Sequence, residues 1–99
     1  MVYVFLADGF EECEALAPAD ILRRGGIDLK TVGVTGKTVT GAHGIPVICD
    51  ITADEAVKED LSAVILPGGM PGTLNLRKSR AVQEFIDFAA EKGLIIGAI

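Results

Sequence analysis

The stretch "VYVFLADGFEECEALAPADILRRGG", residues 2–26, decides the fold. It opens with an uninterrupted apolar run over residues 2–7, which is typical of a strand buried on both faces. A helical pattern follows over residues 10–24, and the glycine pair at 25–26 predicts its C-terminal stop. The stretch therefore predicts a buried strand that leads directly into a helix.

The same order of strand and helix recurs along the chain. "IDLKTVGV" (27–34) predicts a second strand, and "TGKTVTGAHGIPVICD" (35–50) predicts short strands and turns. "TADE" (52–55) is a capping box of Thr52 and Glu55 that opens a short helix, and "SAVILPGG" (62–69) predicts a buried strand running into a glycine turn. A helix follows from Arg80 to Lys92, capped by Ser79 and closed by Gly93, and "LIIGAI" (94–99) predicts a last buried strand. Nearly all-apolar strands in this order predict an open, doubly wound α/β fold, with a parallel sheet covered by helices on both faces.

Ligands of such sheets bind beyond the carboxyl ends of the strands. That rule selects residues 8–14 after the first strand, "PGGMPG" at 67–72, and whatever follows Ile99. These places are where a functional site is expected.

Composition sets the scale of the molecule. The chain has 99 residues, enough for one small domain with one core. It is 49% hydrophobic and 23% charged, which predicts a folded globular chain. Because this apolar fraction is high for so short a chain, we expect a partner subunit or a further segment to cover part of the apolar surface.

Charge and hydropathy disfavour several classes of partner. The net charge is −5, and the longest basic stretches are Arg23–Arg24 and residues 77–80, so nucleic-acid binding is not expected. No apolar run is long enough to span a bilayer and the N-terminus lacks a basic leader, which predicts a cytoplasmic protein without membrane contact. Its two cysteines, without metal-ligand spacing, are expected to be free thiols.

Three glutamates stand close together at the start of the first helix. At about 100° per residue, Glu12 falls beside the polar side, where we expect it to be solvated. Glu11 lies in the first turn, where the helix dipole stabilises a carboxylate. Glu14 falls on an apolar arc, so it is interpreted either as an acid with a partner in the core or as an acid aimed at a reactive group beyond the strand ends.

The glycine turn "LPGGMPG", residues 66–72, also has two interpretations. It can simply end a strand, or its glycines can turn backbone N–H groups toward an anionic oxygen, as in an oxyanion hole. A phosphate loop is disfavoured because no Lys with Ser or Thr follows in the Walker arrangement.

The cysteines and the single histidine carry weaker signals. Cys13 is expected to be a small buried packing residue. Cys49 is expected at a strand end near the surface, with packing favoured over reversible oxidation. His43 is a loop residue that is either solvent-exposed or part of an interface or site.

Four segments together resemble a known family. "GFEECEALAPADILRRGG", "VICD", "VILPGGMPGTLNL" and "KGLIIGAI", in this order and at these separations, resemble the N-terminal half of the ThiJ/PfpI superfamily, in the branch of the parkinsonism-associated deglycase. The resemblance covers essentially the whole chain, residues 1–99, as one half of a single α/β domain. It implies a flavodoxin-like sheet related to class I glutamine amidotransferases, a homodimer, and a cysteine nucleophile on a strand-to-helix elbow.

The resemblance also implies roles for particular residues. Glu14 would hydrogen-bond the nucleophilic cysteine, and the Gly69 N–H would point into the site, which makes these two the catalytic candidates. Gly68 and Met70 are the substrate-binding candidates, Met70 standing where better-known members carry Asn.

Two further positions are candidates for the subunit interface. An arginine that reaches the neighbouring site in some members would align with Gly44, beside His43. Glu11 and His43 are therefore the residues expected at an interface.

The implied activity depends on the other half of the protein. The nucleophile is expected directly after Ile99, in a C-terminal half that also supplies a histidine. The expected function is that of a cysteine-dependent glyoxalase or deglycase acting on reactive carbonyls such as methylglyoxal or their adducts. A redox-responsive stress or chaperone protein and an intracellular amidase or peptidase are the alternatives. No metal or organic cofactor is expected.

Overall fold

The computed structural model describes residues 1–99. Its strands are β1 (Val2–Leu6), β2 (Leu29–Gly33), β3 (Thr38–Thr40), β4 (Pro46–Ile48), β5 (Ile51–Thr52), β6 (Ala63–Leu66) and β7 (Ile95–Ala98), and its helices are α1 (Glu12–Arg24), α2 (Gly72–Lys78) and α3 (Arg80–Lys92), with a 3-10 turn at Ala53–Glu55.

Five of the strands form one parallel sheet in the order β5-β2-β1-β6-β7, and β3 pairs with β4 as a separate antiparallel hairpin. From β1 the chain first adds strands on one side and then, from β6 onward, on the other. The switch point of the topology therefore lies between β1 and β6, and ligands of doubly wound sheets bind at the carboxyl ends of such strands. The predicted fold class is confirmed.

The central strand β1 is buried along its whole length and divides the core into two. Val2, Val4 and Leu6 lie on the face that α1 covers, whereas Tyr3 and Phe5 lie on the face that α3 covers. The α1 side also holds Ala15 and Ala19, and the α3 side also holds Val82, Phe85 and Ala89. Because side chains alternate along a strand, a continuous apolar run fills both layers.

The local stop and start signals are confirmed. Ser79 accepts a hydrogen bond from the Val82 N–H at the start of α3, and Gly93 ends that helix in the left-handed conformation. The capping box of Thr52 and Glu55 is present, although the helix it opens is a single 3-10 turn.

Two elements differ from the sequence prediction. Helix α2 was not predicted, since its seven residues are too few to show an amphipathic period and begin at a glycine that follows a proline. Strand β7 forms as predicted, but Ile95 and Ile96 are 70% and 41% exposed instead of buried. Within residues 1–99, β7 is the last strand of the sheet.

None of the helices combines the length and the hydrophobicity that crossing a membrane requires.

We predict that Phe85→Ala in the full-length protein lowers the free energy of unfolding by about 3–5 kcal/mol, because it empties a fully packed aromatic site. The Phe85 ring lies 5.7 Å from that of Tyr3 and 5.4 Å from that of Phe5, centroid to centroid. Urea unfolding measures the change. Val57→Ala is the control, since Val57 is 52% exposed and its truncation should change stability by less than about 0.5 kcal/mol. Equal losses in the two variants would contradict the assignment of Phe85 to the core.

Candidate functional site

The residues that follow β1 and β6 meet at the carboxyl end of the sheet. The Glu11 N–H donates to the carbonyl oxygen of Gly68 at 2.9 Å, and the Gly68 N–H donates to Oε1 of Glu14, also at 2.9 Å. The start of α1 therefore holds the main chain of the glycine turn through both of Gly68's backbone polar groups.

Glu14 reaches this turn because of how α1 begins. Glu11 is the N-cap, and its Oε2 accepts from the Glu14 N–H at 3.2 Å. Glu14 thus lies in the first turn, where a carboxylate is stabilised by the helix dipole, and its side chain is half-buried. The Gly68 N–H is its one hydrogen-bond donor within the chain, so Oε2 is left for another group.

Ile99 completes the convergence. Its N–H donates to the Leu66 carbonyl at 3.1 Å, which extends the β6–β7 ladder to the same end of the sheet. A Cβ on Gly68 would lie 2.5 Å from Glu14 Oε1 and 3.0 Å from the carbonyl oxygen of Ile99. Glu14, Gly68 and Ile99 therefore meet at one point, as the strand-end rule predicts.

The second glycine of the turn has a different surrounding. Gly69 has a φ of 102°, and a Cβ there would collide with the Glu11 nitrogen. Its carbonyl accepts from the N–H and the hydroxyl of Thr73, both at 2.9 Å. Its own N–H has no acceptor within the chain, and Met70 beside it is 64% exposed. The roles of Gly69 and Met70 in catalysis and substrate binding stay predictions.

A cavity of about 300 Å³ opens next to Ile99. Leu66, Leu76, Val82 and Ile86 are among the apolar residues that line it, and Arg77 and Gln83 are its long polar side chains. The place beyond β6 and β7 thus combines an apolar hollow with the carboxylate and glycine turn described above.

The prediction that Glu12 is solvated is wrong. Glu12 is only 5% exposed, because the β3–β4 hairpin folds over the start of α1. Its Oε2 accepts from the N–H groups of His43 at 2.8 Å and Ile45 at 3.3 Å, and its Oε1 bonds to His43 Nδ1 at 2.8 Å. Gly41 makes room for it, since a Cβ there would collide with the carboxyl group. The prediction placed residues around the first helix alone, at about 100° per residue, so it could not anticipate that the β3–β4 hairpin buries Glu12.

These hydrogen bonds set the charge of the pair. Burial by itself would raise the pKa of Glu12, but the hydrogen bonds from the His43 ring and from backbone N–H groups lower that pKa to about 2. Glu12 is therefore ionised at neutral pH and only accepts, so Nδ1 of His43 carries a proton. The hydrogen bond to Glu12 and the negative charges of Glu12 and Glu11 raise the pKa of His43.

The cysteine predictions are confirmed in part. Cys13 is exposed on α1 instead of packed. Cys49 is 1% exposed instead of near the surface, which confirms the packing role favoured for it, and both cysteines are free thiols as predicted. Cys49 lies in the core on the α1 side of the sheet, and its burial raises the pKa of its thiol. Neither cysteine reaches the meeting point of Glu14 and Gly68. The exposure of Cys13 depends on packing between elements, which a local sequence pattern does not predict.

Glu11 and His43, predicted at a subunit interface, lie next to each other, with Glu11 Oε1 3.6 Å from His43 Nδ1. Their place in an interface stays a prediction.

The fold and this site define a doubly wound α/β protein with a carboxylate and a glycine turn at the switch point of the sheet. The DJ-1/PfpI family matches residues 1–99, and the chain belongs to that family.

Related proteins share the sequence and the fold. The chain is 40% identical over 95 residues to the Parkinson disease protein 7 homolog of Danio rerio, an alignment that covers 93% of this chain and 50% of that protein. A cysteine-to-alanine mutant of the DJ-1 superfamily protein STM1931 from Salmonella typhimurium is 40% identical with a TM-score of 0.93, over 98% of this chain and 53% of that one. The oxidized DJ-1 of Toxoplasma gondii is 31% identical with a TM-score of 0.94, over the same shares of the two chains. The chain thus spans about half the length of these relatives.

The close contacts of the glycine turn lead to a paired prediction. Gly69→Ala should lower the free energy of unfolding by about 1–3 kcal/mol from its backbone conformation alone, and further because its Cβ meets the backbone of Glu11. Gly68→Ala should be milder, since the atom nearest to its Cβ is the mobile end of Glu14, but it should displace that carboxylate. Urea unfolding measures the first effect and a crystal structure of the variant the second.

Gly44→Ala is the matched control for Gly69→Ala. Gly44 also has a positive φ, of 81°, but a Cβ there would have no neighbouring atom within 4 Å, so this variant isolates the backbone effect. A Gly69→Ala variant no less stable than Gly44→Ala would contradict the close approach between the turn and α1.

Proposed function

We propose that the complete protein is a cysteine-dependent enzyme acting on small reactive carbonyls such as methylglyoxal, or on their adducts. The observation that carries the proposal is the meeting of Glu14, Gly68 and Ile99 at the carboxyl end of the sheet. The nucleophilic cysteine is proposed to follow Ile99, in the C-terminal half that the family resemblance implies.

The proposed chemistry begins at the thiolate. A carboxyl group of Glu14 that donates a hydrogen bond from Oε2 would stabilise the charged sulfur and keep it nucleophilic. The sulfur attacks the aldehyde carbon, the C–S bond forms, and the carbonyl electron pair moves onto oxygen. The Gly69 N–H, which has no acceptor within the chain, is suited to hold that oxygen.

Glu14 then moves a proton. It first gives its own proton to the alkoxide oxygen, which completes the hemithioacetal and leaves Glu14 as a carboxylate. The carboxylate then accepts the proton from the carbon bonded to sulfur and returns it to the neighbouring carbon, while the hydroxyl proton passes from the first oxygen to the second, so the hemithioacetal of methylglyoxal becomes a lactoyl thioester. Water hydrolyses the thioester and releases lactate and the thiolate. The sum is methylglyoxal plus water to lactate, so the reaction needs no external oxidant or reductant.

The test follows lactate after methylglyoxal is added to the full-length protein. Glu14→Gln should lower kcat/KM by about 100-fold or more, because it removes a proton-transferring group. Asp20→Asn is the matched control on the same helix, since Asp20 is exposed and pairs only with Arg24. Lactate formation at the wild-type rate in Glu14→Gln would contradict the proposal.

A redox-responsive stress protein is the second candidate, favoured by the oxidized state of the Toxoplasma gondii relative. In that function peroxide would oxidise the same cysteine to a sulfinate beside Glu14. Mass spectrometry distinguishes the two candidates. A specific gain of two oxygen atoms on peroxide treatment, in a protein that forms no lactate, would favour the redox function.

We also propose that the complete protein is a homodimer that pairs through α1. Ile21 on this helix is 65% exposed, and Cys13 is exposed on it as well. Sedimentation of the full-length protein at micromolar concentration should show a dimer, whereas a monomer would count against the proposal.

A further inference from the structure

Glu11, Glu12 and His43 bring three metal-ligand atoms to one point outside the proposed catalytic centre. Oε1 of Glu12 lies 2.8 Å and Oε1 of Glu11 lies 3.6 Å from His43 Nδ1. One ligand atom from each of the three residues lies within 4.8 Å of the others. A single ion at ordinary bond lengths of about 2.0–2.2 Å spans such a set with small side-chain movements.

The two carboxylates are already oriented by groups outside the set. Oε2 of Glu12 is held by the backbone N–H groups of His43 and Ile45, and Oε2 of Glu11 is held by the Glu14 N–H. Each carboxylate thus has one oxygen fixed by the main chain and the other turned toward His43 Nδ1. Such outer partners fix the geometry of ligands in metal sites.

Access and charge both suit a cation. In the single chain the His43 side chain is 69% exposed and that of Glu11 26%, whereas the Glu12 side chain is 7% exposed. Because Glu11 and His43 are also expected at a subunit interface, the ion would lie at or beside that interface in a dimer. The positive end of α1 opposes a cation with about half an elementary charge, and two ionised carboxylates outweigh it.

We propose that Glu11, Glu12 and His43 bind a divalent transition-metal ion, for which Zn²⁺ is the best match. One imidazole nitrogen and two carboxylate oxygens suit zinc, whereas Mg²⁺ and Ca²⁺ take oxygen ligands. The ion takes the place of the proton on Nδ1, and the neutral ring then keeps its proton on Nε2. The site is independent of the proposed carbonyl chemistry, which uses no metal.

Isothermal titration of the full-length protein with Zn²⁺ at neutral pH tests the site. The wild type should bind one ion per chain. His43→Asn keeps an N–H donor for Glu12 but removes the imidazole, and Glu11→Gln keeps an oxygen for the helix cap but removes a charge. Each should weaken Zn²⁺ binding at least about 10-fold, the smaller of the losses seen when partners of metal ligands are removed. Co²⁺ absorption should lose its protein-bound bands in the same variants.

Two matched variants on α1 separate this site from others. Cys13→Ser removes an exposed thiol next to Glu12, and Asp20→Asn removes an exposed carboxylate further along the helix. Both should bind Zn²⁺ like the wild type. The proposal is overturned if the wild type binds no Zn²⁺, if His43→Asn and Glu11→Gln bind it as tightly as the wild type, or if only Cys13→Ser abolishes binding. Circular dichroism of each variant confirms that a lost affinity does not come from unfolding.

Discussion

The rest of the site depends on the two hydrogen bonds that join the start of α1 to the main chain of Gly68. They join the turn after β6 to the helix after β1, and they use both backbone polar groups of Gly68. This approach leaves little room for side chains, because a Cβ at Gly69 would collide with the backbone of Glu11 and a Cβ at Gly68 would displace the carboxylate of Glu14. The same holds where α2 begins, since the Gly72 N–H donates to the Gly9 carbonyl at 3.2 Å. Glycines therefore bring the elements of the switch point together.

The contact is precise because its two sides rest on a rigid base. β1 is buried along its length between two core layers, and the chain that leaves its carboxyl end passes into α1 within a few residues. β6 pairs with β1 in register, so the turn that follows β6 arrives at the same edge. A site at the ends of packed strands keeps its geometry better than one on a long loop.

The three glutamates of α1 divide three tasks among themselves. Glu11 caps the helix, Glu12 holds the β3–β4 hairpin through His43 and Ile45, and Glu14 meets Gly68. Successive positions on a helix point about 100° apart, so neighbours in sequence face different parts of the fold. The crowding of acids at the helix start thus reflects separate partners, and the hydrogen bonds from the hairpin explain why the pKa of Glu12 is lowered although its side chain is buried.

The sequence by itself determined the features whose causes are local. The apolar run of β1, the serine cap and glycine stop of α3, and the capping box at Thr52 depend on residues a few positions apart, so pattern alone predicted them. The convergence of Glu14 and the glycine turn also followed, because parallel strands bring their carboxyl ends to one edge. Only the tertiary structure decided the burial of Glu12, the exposure of Cys13 and the pairing of Glu12 with His43. The physical reason is separation along the sequence. The hydrogen-bond partners of Glu12 stand 31 and 33 positions away, on a hairpin whose packing the hydrophobic period of a single helix or strand cannot predict.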